Sequence, residues 1–201
     1  MSELQRFNVS SEIDADDAEA LVRIAAKYVR VPNKRVVDAL GSKSVFPSVR
    51  ASAKRGERGS TQDGIYRCDN TSPRYALLWP HGYRGVPEGW RVAHIWPNSG
   101  DKDCYTNIAN LCLVAAPLER LTDGNGPLLP YLKYNAQNSY GWRPKGESEI
   151  EKPNNYDFVQ WLELNMQGEP IKNLNMRFDA LNNHAIRQYR KIGGMEHWRT
   201  I

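Results

Sequence analysis

The sequence predicts an α+β fold: a small core of two strands and a helix, embedded among helices contributed by both ends of the chain. Three observations carry this expectation. Apolar residues recur at helical spacing near both termini, at Ala18, Leu21, Val22, Ile24, Ala25 and Tyr28, and again at Phe178, Leu181, Ala185, Ile186 and Tyr189. In the middle, two apolar runs ending in Ala93-His94-Ile95 and spanning Leu111–Val114 are short enough for strands, with a proline-bearing polar loop, Pro97–Asn107, between them. A helix start, Pro117 to Asp123, follows the second run directly.

Taken in order, the first helix is expected over Asp14–Tyr28, with acids in its first turn and bases in its last, as the helix dipole favours. A second, Asn33–Leu40, ends at Gly41. Residues 42–63 are polar, basic and rich in Gly and Ser, which reads as a mobile arm. Gly64–Cys68 and Arg74–Trp79 are expected as strands of a hairpin turned at Asp69–Pro73. Pro80–Gly89 is a loop, and Trp90 opens the strand that reaches His94. Helices are expected over Leu128–Tyr140, ended by Gly141, over Tyr156–Met166 and over Asn175–Lys191. The chain divides into a helical N-terminal extension with a basic arm (1–63), a core (64–140) and a C-terminal helical region packing on it (141–201).

Six Trp and ten Tyr supply large burial units, so a folded core is expected. No run of about 18 apolar residues occurs, so no membrane span is expected. The first residues hold no apolar stretch of the signal-peptide kind, and the expected compartment is the cytoplasm. Cys68, Cys104 and Cys112 include no C-x-x-C pair, so neither a disulfide framework nor a structural zinc site is expected. The formal charge of +4 conceals an asymmetry. Residues 23–58 hold ten bases against Asp38 and Glu57, and residues 171–201 hold six bases against Asp179 and Glu196. Basic flanks around a near-neutral centre suit a polyanion.

The spacing Ala93-His94-Ile95-Trp96-Pro97, then Asn110-Leu111-Cys112-Leu113-Val114, then Leu118-Glu119-Arg120-Leu121-Thr122-Asp123 resembles the H-N-H (ββα-metal) nuclease family. The resemblance covers at most residues 64–140 and is motif-specific only over Val92–Asp123. It implies a ββα-metal nuclease core and a divalent-metal-dependent endonuclease acting on DNA, of the restriction type. RNA remains an open alternative substrate. His94 takes the position of the general base, Asn110 that of the Asn that orients the ring or the loop, and Asp123 that of the closing acid.

The departure is Glu119, where the family has its second metal-binding His. A carboxylate is a hard donor suited to Mg²⁺ or Mn²⁺. Either Glu119 and Asp123 both bind the ion, or Asp123 alone does, or the site is degenerate and the protein binds DNA without cutting it. The chemistry gives these residue types a purpose: His is suited to activate water near neutral pH, and a divalent ion polarises the phosphate and stabilises the leaving oxygen. Arg84 and Lys102, near the motif, are expected phosphate contacts, as are Lys54, Arg55 and Arg58 in the arm and Arg187, Arg190 and Lys191 in the last helix. His81 and His184 are weaker candidates for substrate contact, and Asp101 and Asp103 for a place at the ion. A palindromic site would be matched by a homodimer, the expected assembly.

Overall fold

Strand β6, Leu111–Ala115, lies inside a four-stranded sheet ordered β5-β6-β1-β7, built from β5 (Trp90–His94), β1 (Val29–Val31) and β7 (Leu162–Glu163) in addition. The computed structural model describes residues 15–51, 59 and 61–193. Its mixture of helices with mixed sheets is an α+β fold. β5 and β6 pair antiparallel from Trp90↔Ala115 to His94↔Leu111, β1 is antiparallel to β6, and β7 is parallel to β1. The unbroken apolar run of β6 is explained by burial on both faces: Leu111 and Leu113 pack into one core, Cys112 and Val114 into the other.

The central pair is therefore not a free-standing hairpin. β1 comes from the N-terminal segment and β7 from the C-terminal one, and both join the sheet of β5 and β6. A second sheet, β2-β4-β3, holds Ser48–Arg50, Ile65–Cys68 and Thr61–Gln62. The described residues hold six α-helices: α1 Ala15–Ala26, α2 Lys34–Leu40, α3 Thr71–Leu78, α4 Leu129–Tyr140, α5 Pro170–Ala180 and α6 His184–Lys191.

Local chemistry explains the boundaries that agree with the sequence. The Asn33 side chain accepts the Arg35 N–H at the start of α2, and Gly41 ends it in the left-handed conformation at φ 64°. Gly141 does the same for α4 at φ 62°. Glu163 of β7 accepts from the Asn33 side chain and the Lys34 N–H, locking the α2 start to the sheet edge.

Several expectations are corrected. Arg74–Trp79 is not a strand: α3 occupies Thr71–Leu78, with Asp69 accepting the Thr71 N–H and Pro73 in the first turn, where its missing donor costs nothing. The partners of β4 are β2 and β3 instead. Residues 45–49 are not part of a solvated arm, since Val45, Phe46, Ser48 and Val49 are buried. Tyr156–Met166 is not a helix: Asn155 takes a left-handed turn at φ 58°, a 3₁₀ turn spans Tyr156–Phe158, and β7 follows. The last expected helix is two, separated at Leu181–Asn183, with Asn183 capping α6 through the Ile186 N–H. The expected helix start at 117–123 is a 3₁₀ helix, Ala116–Thr122.

Candidate active site

His94 is the last residue of β5, and the chain leaves the sheet immediately after it. The ladder continues one bond further, Ile95 N–H to the Asn110 carbonyl at 2.9 Å, before the loop begins. Asn110 then holds both ends of that loop. Its Oδ1 accepts the Trp96 N–H at 2.7 Å, and its Nδ2 donates to the Trp96 carbonyl at 3.2 Å and the Cys104 carbonyl at 3.0 Å. The side chain is fully buried. Of the two roles expected for Asn110, orienting the ring or the loop, the structure places it on the loop; it makes no bond to the His94 ring.

The ring is held by Tyr105 instead. His94 Nε2 lies 2.9 Å from the Tyr105 carbonyl, and the two rings stack at 5.3 Å with 8° between their planes. A carbonyl only accepts, so Nε2 carries the proton and Nδ1 is the basic nitrogen of the neutral ring. Burial lowers the His94 pKa below its ordinary value; the carbonyl opposes this, and the nearby Arg50 guanidinium adds to it. The ring is thereby held neutral at neutral pH, the form a general base needs.

A cleft of about 340 Å³ opens beside this ring. His94, Glu119 and Asp123 line it, together with Arg50, Asn70, Pro97 and Ser99. The 3₁₀ helix delivers Glu119, and Thr122 closes its last turn by donating to the Glu119 carbonyl at 2.8 Å. Asp123 follows in extended conformation. The fold thus brings three of the four motif residues to one hollow, with the fourth bracing the loop behind it.

Among the described residues, no three His, Cys, Asp or Glu side chains converge closely enough to cage an ion. Mg²⁺ keeps several waters and is commonly held by one or two carboxylates plus substrate phosphate oxygens, and Glu119 and Asp123, both in the cleft wall, are donors of that type.

The expected phosphate contacts fare differently. Lys54, Arg55 and Arg58 lie outside the described residues. Arg84, Lys102, Arg187, Arg190 and Lys191 are exposed but do not line the cleft. Arg190 serves the fold: its guanidinium donates to the Phe178 and Leu181 carbonyls at 2.9 and 3.0 Å, closing the end of α5. Arg187 donates to the Asn182 carbonyl, and the Lys102 carbonyl receives the Ser44 hydroxyl. His81 is corrected outright. It is fully buried, with Nδ1 donating to the Leu77 carbonyl at 2.6 Å and Nε2 accepting the Asn33 N–H at 3.0 Å, so it staples α3 to the α2 cap. His184 meets the Gly59 carbonyl, and Asp101 shapes the loop by accepting the Asp103 N–H.

Arg50 is the cleft residue that the sequence does not single out, being one base among ten in its segment. It ends β2, and its backbone N–H donates to the Ser99 carbonyl at 2.8 Å, which docks the strand end on the His94 loop. Nothing in its neighbours in sequence signals that contact.

Cys68, Cys104 and Cys112 are buried free thiols, with burial pushing Cys104 and Cys112 up to about 12. No described helix is long and apolar enough to cross a membrane. No protein-family model, curated protein or solved structure is similar enough to this chain to match it.

Proposed function

We propose that this chain is an endonuclease of the H-N-H type that hydrolyses DNA phosphodiester bonds with a divalent metal ion, Mg²⁺ or Mn²⁺. The observation that carries the reading is His94, its Nε2 held by the Tyr105 carbonyl and its pKa lowered by burial, in the same cleft as Glu119 and Asp123. His94 takes the proton of the attacking water. Glu119 and Asp123 would hold the ion, which would supply positive charge for the phosphate and the leaving oxygen. Arg50 adds a fixed positive charge at the cleft wall. Asn110 keeps the loop, and with it the Tyr105 carbonyl, in register with His94. A restriction-type enzyme acting in the cytoplasm as a two-fold homodimer is the corresponding physiological reading, with RNA as the alternative substrate.

A second reading, a non-catalytic DNA-binding protein on a degenerate scaffold, is favoured by the absence of a converging three-ligand set among the described residues. Supercoiled plasmid incubated with purified protein in Mg²⁺, Mn²⁺ or EDTA separates the two. Nicking in metal, abolished by EDTA, is expected. Retardation of the plasmid without nicking in any metal would establish the second reading and defeat the first.

A further inference from the structure

A smaller hollow of about 190 Å³ adjoins the candidate active site, walled by Arg50, Asp69, Asn70, Thr71 and Arg74. Arg50 and Asn70 line both spaces, so the two are neighbours. We propose that this hollow seats a second backbone phosphate of the bound DNA strand, adjacent to the scissile one, with Arg74 as its contact on the far wall. The inference rests on the nuclease reading and assigns Arg74, which lies outside the motif residues.

Two arginines from separate elements, Arg50 at the end of β2 and Arg74 in the first turns of α3, line one hollow. Both residues are exposed, and no ion pair among the described residues joins either to a carboxylate. Asp69, the one acid in the wall, directs its carboxylate to the Thr71 backbone N–H and hydroxyl. Planar guanidiniums match phosphate oxygens in pairs. The distance from the base to this hollow is also held by one residue. Tyr105 fixes His94 through its carbonyl and ring, and its hydroxyl donates to the Asp69 carbonyl at 2.5 Å, at the entry to α3. Two adjacent phosphates on one strand would therefore be read by a rigid ruler running from His94 through Tyr105 to Arg74.

The test is binding of a fluorescein-labelled DNA duplex to the full chain in EDTA, followed by anisotropy across a salt series, for the wild type, Arg74→Ala, Arg74→Lys and the exposed-loop control Lys145→Ala. Loss of one phosphate contact lowers the slope of log K against log salt by about one. Arg74→Ala is expected to lose that amount and to weaken binding several-fold at fixed salt, with Arg74→Lys restoring the slope and Lys145→Ala unchanged. In metal, Arg74→Ala is expected to raise KM for cleavage and to leave kcat near the wild-type value. Wild-type cleavage together with an Arg74→Ala slope and KM equal to the wild type would overturn the phosphate seat while leaving the nuclease reading intact. A wild type that neither binds nor cuts DNA would overturn both.

Discussion

The Tyr105 carbonyl receives the Nε2–H of His94 while the Tyr105 ring lies parallel to the imidazole, so one residue sets both the tautomer and the plane of the candidate base. Both contacts survive removal of the hydroxyl. Tyr105→Phe is therefore expected to keep kcat near the wild-type value, with KM raised because the tie to the Arg74 hollow is cut. It loses the part-buried hydrogen bond to the Asp69 carbonyl and the weak one from the Cys68 thiol, at a cost of about 1 kcal/mol, or roughly 2–4 °C in Tm for a chain of this size. Tyr105→Ala removes the stack as well as a fully buried ring and should cost about 3–5 kcal/mol. Thermal melts of the two variants, alongside plasmid cleavage, check the separation.

The depressed pKa of His94 sets the pH dependence. The base acts when neutral, so kcat/KM should rise with pH through an acid limb centred below the ordinary histidine value of about 6.5 and then level off. Arg50 contributes to the depression, so Arg50→Ala should move that limb upward. A pH–rate profile of both proteins reads the shift. A downward movement would contradict the assigned geometry.

Asn110 braces the loop from within the core, and its role is structural before it is chemical. Asn110→Ala leaves the Trp96 N–H and carbonyl without their partner and the Cys104 carbonyl with the Asn107 N–H alone, and should cost about 2–4 kcal/mol. Asn110→Asp is expected to be worse, because a carboxylate would face two carbonyl oxygens. Urea unfolding measures both costs.

Buried His81 makes stability fall in acid. Its folded-state pKa, lowered to about 4 by burial, sits below its unfolded value, so the unfolded chain binds the proton first. The contribution is fully present above about pH 6.5 and is lost as pH falls toward 4, up to about 3 kcal/mol. Urea midpoints between pH 7 and 4.5 should decline with this profile. His81→Gln should flatten that part of the decline.

Much of this site is legible in the sequence. His94, Glu119 and Asp123 stand out because of their resemblance to the H-N-H motif, and the cleft holds all three. α2 and α4 are equally readable, since Asn33, Gly41 and Gly141 are local signals. Tyr105 and Arg50 are not. Tyr105 acts through its backbone carbonyl, which every residue possesses, and Arg50 reaches the site through a parallel pairing of β2 with β4 that no periodicity announces. The strand expected at Arg74–Trp79 fails for a similar reason. Its apolar run is buried nearly throughout, and only the Asp69 bond to Thr71 N–H and the early proline mark it as helix. β7, with two residues, owes its conformation to pairing with β1 rather than to its own composition.

The central claim is that His94 activates water for phosphodiester cleavage. It is tested most directly by the single-turnover cleavage rate of a DNA duplex in Mn²⁺ at pH 7.5 by the wild type and His94→Ala, with DNA binding measured in parallel. The predicted result is a fall of about 10²–10⁴-fold in rate with binding unchanged, the range expected for loss of a general base. Equal rates for the two proteins would contradict it.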